Sequence, residues 1–241
     1  MAPLRPPVYA LQANLRVLHA GGALFSLSMI FPEKRRAREI MANDFPVVCV
    51  GGSAGGLDAY IRLLRDLPAD LGVAIVFVNH VRNVATRLHE ILPRYTSMPV
   101  ELITQGLRIR PNRVFIIPEQ RDLHVLDGRF RLQPISKLRG WPDVITVFLK
   151  SLTRNWNGKL IAVIVSGYDG DGADALCEIK EVGGTTMAQK LETAGQPDMP
   201  ESAIASGCVD FVLSPEGIAR ELIRMARLRP APAAVVTGGG Q

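Results

Sequence analysis

Between residues 44 and 228, short apolar runs alternate with stretches in which apolar positions recur every three or four residues. The runs at 46–50, 73–79, 114–117, 160–165, 185–189 and 209–213 predict strands. The periodic stretches at 57–67, 84–94, 142–155, 173–181, 200–205 and 215–227 predict helices. The first four strand runs are almost entirely apolar rather than alternating, as expected of strands buried on both faces. Strand–helix alternation of this kind predicts an α/β fold: a doubly wound, mostly parallel, Rossmann-like sheet with helices on both faces. One segment breaks the rhythm. Residues 123–126, Asp127-Gly128 and 129–133 read as an antiparallel β-hairpin with a tight Asp-Gly turn, added to the sheet.

The ends differ from this middle. Residues 1–43 begin Pro-containing, are weakly periodic and close on the basic run Lys34-Arg35-Arg36-Ala37-Arg38. They are expected to form a poorly ordered extension, and Met41 stands close enough to the first strand to be an alternative start. Residues 229–241 read as a flexible tail. The domain is therefore expected to span 44–228. The apolar run 20–31 contains Gly21, Gly22, Ser26 and Ser28, is too short to cross a bilayer, and is followed by no Ala-x-Ala cleavage site. A soluble, cytoplasmic protein without membrane insertion is expected. A net charge of +5 comes largely from short clusters, which suits a solvated face or an anionic protein partner better than nucleic acid. Cys49, Cys177 and Cys208 form no C-x-x-C pair and sit in apolar patterns, so they read as buried thiols of a reducing compartment.

Candidate chemistry concentrates where strands end. The first run stops at Gly51-Gly52-Ser53-Ala54-Gly55-Gly56, and a helix pattern follows. A serine there lies beside backbone N–H groups and the positive end of a helix dipole, and the segment fits the G-x-S-x-G nucleophile elbow. A phosphate-binding loop or a plain structural turn reads the same residues. The P-loop form is excluded because no Gly-Lys-Ser/Thr follows. In a parallel sheet, ligands bind outside the carboxyl ends of the strands. The second strand runs into His80, and the fourth into Ser166-Gly167-Tyr168-Asp169-Gly170-Asp171-Gly172. Serine, histidine and aspartate would then share one edge. Histidine can take the serine proton, and a carboxylate can fix its tautomer. His80 is preferred to His89 and His124 by its strand-end position, while Asp169 competes with Asp171. A calcium loop built on Asp169, Asp171 and Asp174 would need an oxygen ligand where Ala173 stands.

Taken together, these motifs resemble the catalytic domain of the CheB family of chemotaxis protein-glutamate methylesterases. The resemblance rests on Val50 to Gly56, on Val78-Asn79-His80-Val81, and on Val114-Phe115-Ile116-Ile117-Pro118. It continues through Pro142-Asp143-Val144, Val165 to Ala173, Gln189, and Gly195 to Ala203. It implies a triad of Ser53 as nucleophile, His80 as base and Asp171 as orienting carboxylate. The oxyanion would be held by N–H groups of the turns around Ala54 and Tyr168. It further implies hydrolysis of glutamate γ-methyl esters, and deamidation of certain glutamines, on the cytoplasmic helices of chemoreceptors. No metal or organic cofactor is implied. Tyr168 stands where the family usually has methionine, and Ala54 where it often has threonine. The stretch Val81-Arg82-Asn83-Val84-Ala85-Thr86-Arg87-Leu88 departs from the family's Pro- and Phe-containing segment. Residues 1–45 are too few for the receiver domain of familiar members, so control by phosphorylation in cis is not expected. Arg82, Arg87, Arg110 and Arg113 are candidates for steering toward acidic receptor helices. A small-molecule esterase or deamidase, and a non-catalytic binding module, are the other classes that this scaffold admits.

Overall fold

Side chains alternate along a strand, so each strand residue belongs to one of two cores. In β1 (Val47–Gly52), Val47 and Cys49 enter one core while Val48 and Val50 enter the other. The computed structural model describes residues 45–79, 87–137 and 142–228. The expected extension and tail, with the apolar run 20–31 and the basic cluster 34–38, lie outside these residues. The remaining strands are β2 (Ala74–Asn79), β3 (Val100–Leu102), β4 (Arg113–Ile116), β5 (Arg121–Leu126), β6 (Arg129–Pro134), β7 (Leu160–Ile164), β8 (Thr185–Gln189) and β9 (Phe211–Leu213). Seven of them form one sheet in the order β3-β4-β2-β1-β7-β8-β9, every neighbouring pair parallel.

The helices among the described residues are α1 (Gly56–Arg65), α2 (Leu88–Ile91), α3 (Val144–Asn155), α4 (Leu176–Glu181), α5 (Asp198–Ala205) and α6 (Pro215–Arg227). Helix α1 buries Ala59, Tyr60, Leu63 and Leu64, a single stripe at helical spacing. It shares one face of the sheet with α2 and α6 through Leu88, Ile218, Ala219 and Leu222. The opposite face carries α3, α4, α5 and the hairpin, through residues such as Phe148, Ile179, Met199 and Phe130. The doubly wound expectation holds on both faces. None of the helices among the described residues is long and apolar enough to cross a membrane.

Several boundaries differ from the periodicity reading. Strand β3 was not expected: three half-exposed or exposed edge residues carry too short a pattern to stand out. Of the helix expected over 84–94, residues 84–86 lie outside the described set, and the remainder is α2 followed by a 3₁₀ turn at Leu92–Arg94. The stretch 173–181 opens as a 3₁₀ turn at Ala173–Ala175 before α4. Strands β5 and β6 form their own two-stranded antiparallel sheet, closed by Asp127 at φ 52° and Gly128 at φ 69°. Two successive positive φ values define the type I′ turn that an Asp-Gly pair favours. The hairpin is seated by Phe130, whose ring centroid lies 5.1 Å from that of Phe115 and 6.4 Å from that of Phe148.

The cysteine reading needs correction. Cys177 and Cys208 are joined in a disulfide with Cα atoms 5.2 Å apart, and only Cys49 is the buried free thiol expected of all three. Disulfide pairing needs proximity in space, which no local spacing of the two residues announces.

The strand order fixes where a ligand belongs. From β1 the chain passes to β2 and β4 on one side, then returns through α3 to place β7 on the other side of β1. The switch point of the sheet is therefore at the carboxyl ends of β1 and β7.

Candidate active site

Ser53 follows directly on β1 at this switch point. The strand ends because Gly55 adopts φ 76°, a left-handed conformation that opens α1 and that a side chain would resist. Ser53 is half-buried, and its N–H donates to the carbonyl of Ser166 at 2.9 Å, stitching the turn after β1 to the turn after β7. Gly167 permits that approach: a Cβ there would lie 2.9 Å from Ser53 Cβ and overlap Met199 Sδ.

Asp171, buried in the second turn, is held by a helix from another part of the chain. Its Oδ2 accepts from Ile145 N at 2.8 Å and its Oδ1 from Thr146 N at 2.9 Å. These are first-turn N–H groups of α3, which its own N-cap residue Asp143 leaves without a side-chain acceptor. The carboxylate thus caps α3 from outside the helix and gains from its positive end. Thr146 Oγ1 in turn accepts from Gly172 N at 2.8 Å. Asp169, the rival carboxylate, turns back on the chain at φ 72°, with its Oδ1 accepting from Asp171 N at 2.8 Å. Below lies Cys49. Burial, and then the Asp171 carboxylate, push its thiol up, which keeps it neutral.

His80 lies outside the described residues. Strand β2 is described to Asn79, which pairs with Gly52 and so brings the end of β2 level with the start of the serine turn. Tyr60 OH donates to Asn79 Oδ1 at a long 3.5 Å. The other histidines are placed elsewhere: His89 within α2, and His124 opposite Arg131 in the hairpin. Ala54 and Tyr168 occupy the two facing turns, with Tyr168 43% exposed. Among the described residues, no acceptor takes the backbone N–H of either. Also among these residues, no group of three or more His, Cys, Asp or Glu side chains is arranged to hold a metal ion.

Two features escaped the sequence reading. Ser166 is fully buried, and its Oγ donates to Ala54 O at 2.8 Å while accepting from Gln196 N at 2.9 Å. Gln189, also buried, accepts from Ser166 N through Oε1 at 2.9 Å and donates from Nε2 to Thr193 O at 2.7 Å. Both belong to motifs noted above, and an uncharged polar residue ending an apolar strand was the available signal. The steering arginines fare differently. Arg110 and Arg113 are ion-paired with Glu101, and Arg113 is the first residue of β4, at the edge of the sheet opposite Ser53. Arg87 pairs with Glu90, and Arg82 lies outside the described residues.

A half-buried serine at a helix N-terminus, two backbone N–H groups without an acceptor among the described residues, and a carboxylate held by two N–H groups form a set suited to acyl transfer through an oxyanion. Comparison with known proteins shows what the chain as a whole resembles. The CheB methylesterase family profile matches residues 48–222. A protein-glutamate methylesterase/protein-glutamine glutaminase of group 3 operon from Rhizobium meliloti is 31% identical over 192 residues, 77% of this chain and 53% of the relative. A second protein of that activity name, numbered 4 in Burkholderia thailandensis, is 34% identical over 185 residues, 76% of this chain and 54% of the relative. The chain thus spans about half the length of the curated relatives it matches. The crystal structure of the Thermotoga maritima CheB methylesterase catalytic domain superposes with a TM-score of 0.68 at 28% identity. That match covers 74% of this chain and 97% of the Thermotoga chain.

Proposed function

Because this chain belongs to the CheB methylesterase family, we propose that it is a cytoplasmic serine hydrolase that removes methyl groups from glutamyl side chains of chemoreceptor-like proteins. Its catalytic residues are Ser53, His80 and Asp171. His80 accepts the Ser53 proton as Oγ attacks the ester carbonyl, and a tetrahedral oxyanion forms between the Ala54 and Tyr168 N–H groups. Collapse breaks the ester C–O bond, and His80 passes its proton to the leaving oxygen, giving methanol. Water then attacks the acyl-serine, with His80 taking its proton and returning it to Ser53 as free glutamate leaves. Asp171 orients the imidazole and stabilises its charged form. A glutamine side chain enters the same sequence with ammonia as leaving group. Residues 44–228 act as the catalytic unit.

The observation that carries this reading is that the turn bearing Ser53 is hydrogen-bonded, across the switch point, to the turn bearing Asp171, a buried carboxylate whose two oxygens each accept from a backbone N–H. The test is methanol release from methylated receptor cytoplasmic fragments by the protein and by Ser53→Ala. Release that vanishes in the variant is expected. Release that persists in Ser53→Ala rejects the nucleophile. A folded protein that turns over small acyl esters but not receptor fragments moves the substrate to small molecules.

A further inference from the structure

The residue that unites the facing turns is Ser166. It makes four hydrogen bonds to three other segments, and two of them go to the turn that follows β1. Its carbonyl accepts from Ser53 N at 2.9 Å, and its Oγ donates to Ala54 O at 2.8 Å. The same Oγ accepts from Gln196 N at 2.9 Å, and its own N–H donates to Gln189 Oε1 at 2.9 Å. Ser53 N precedes the peptide that carries the Ala54 N–H, and Ala54 O follows it. Both flanks of that N–H are therefore pinned to one residue. The fit leaves little slack: a Cβ on Gly55 would lie 2.5 Å from Ser166 Oγ. On the partner side, Gly167 N donates to Gln196 O at 3.0 Å and Met199 N donates to Gly167 O at 3.0 Å. This closes a loop around the turn that presents the Tyr168 N–H.

We propose that Ser166 is a positioning residue for the oxyanion site, its hydroxyl setting the aim of the Ala54 N–H relative to that of Tyr168. The inference rests on the reading of Ser53 as nucleophile. A hydroxyl is required because it must donate to Ala54 O and accept from Gln196 N at once, which neither alanine nor a donor-only group can do. Without it the Ala54–Gly55 peptide loses the tie that Ala54 O makes to the turn after β7. The Ala54 N–H then samples directions unsuited to the oxyanion, while ground-state binding of the ester is little changed. Losing one such donor typically lowers kcat by about 100- to 1000-fold, and mis-aiming it costs a smaller factor.

The experiment compares Ser166→Ala, Ser166→Thr, Ser53→Ala and Ser151→Ala, using methylated receptor fragment as substrate and a glutamyl trifluoromethyl ketone as a probe that forms a tetrahedral oxyanion on serine. Ser166→Ala is expected to lower kcat by about 10- to 100-fold with KM within twofold, and to weaken the ketone by the same factor. Ser166→Thr, which keeps the hydroxyl, is expected to recover most of both. Ser151, whose Oγ accepts from Val125 N at 2.9 Å within the hairpin–α3 contact, reports destabilisation away from the site. Its alanine variant should lower thermal stability with kcat unchanged. A Ser166→Ala enzyme with unaltered kcat and unaltered ketone binding overturns the positioning role while leaving the nucleophile intact. So does a kcat loss that threonine fails to restore in a folded protein. Turnover by Ser53→Ala instead rejects the underlying reading, whatever Ser166 does.

Discussion

A Cβ at residue 167 has nowhere to go: Met199 Sδ occupies its place, and Ser53 Cβ stands 2.9 Å away. Gly167→Ala is therefore expected to push the serine turn off its seat. The cost should be about 1–3 kcal/mol of stability, as for other overpacked cores, with a disproportionate fall in kcat. Chemical denaturation and single-turnover kinetics on the same preparation separate the two effects, and equal activity per folded molecule would contradict the assignment. At this scale the placement of Ser53 was legible in sequence, because a polar residue that stops an apolar strand next to glycine is a local signal; Asp171 stood out only as part of the Gly-rich turn after β7. Choosing Asp171 over Asp169 rested on the family resemblance; that the Ile145 and Thr146 N–H groups donate to Asp171 was not legible in sequence. The Ser166 bond to Ala54 spans 112 positions and the Thr146 bond to Gly172 spans 26. Such partners leave no trace in neighbouring residues, so neither was readable in advance.

Two elements depend on single carboxylates. Asp171→Ala would leave the Ile145 and Thr146 N–H groups at the buried start of α3 without acceptors. Each unsatisfied donor costs about 1–3 kcal/mol, so this variant should lose both activity and stability. Asp171→Asn retains one acceptor oxygen and should lose activity with a smaller stability change, which thermal melts of the pair would reveal. On the other face, Glu216 at the start of α6 holds Arg62 of α1 through bonds of 2.6 and 3.1 Å. The hydrogen bond from Arg62 lowers the Glu216 carboxyl from 4.5 to about 2. A carboxyl depressed on folding stabilises above its unfolded value and ceases to as pH falls through its folded value. Glu216→Gln is accordingly expected to cost about 0.5–1 kcal/mol at pH 7, the range for half-exposed pairs. That difference should shrink steadily between about pH 4.5 and pH 2, and a pH-independent difference would show the pair to be energetically idle. Elements of this length were visible as periodicity. β3 was not, because an edge strand of three residues owes its existence to β4 beside it rather than to its own pattern.

Over the whole molecule, the two-faced layering followed from strand–helix alternation, whereas the switch point needed the strand order and the covalent link between distant segments had no signal at all. Cys177 lies in α4, just beyond the Asp171 turn, and Cys208 follows α5, whose Met199 packs against Gly167. The disulfide therefore ties α4 to the segment that follows α5. Closing a loop across a separation of 31 residues restricts the unfolded chain by an amount equivalent to about 3–4 kcal/mol. Cys208→Ser should lower unfolding free energy by up to that amount in oxidising buffer and by little in reducing buffer, where the wild-type link is also open. Because Ser53 and Asp171 are held by hydrogen bonds that do not pass through the sulfurs, kcat of the folded variant is expected to stay within twofold of wild type. A large kcat loss on reduction would mean instead that the link transmits to the Asp171 turn. Thiol titration of the denatured, unreduced protein supplies the independent check: one reactive cysteine, Cys49, where three independent thiols would titrate as three.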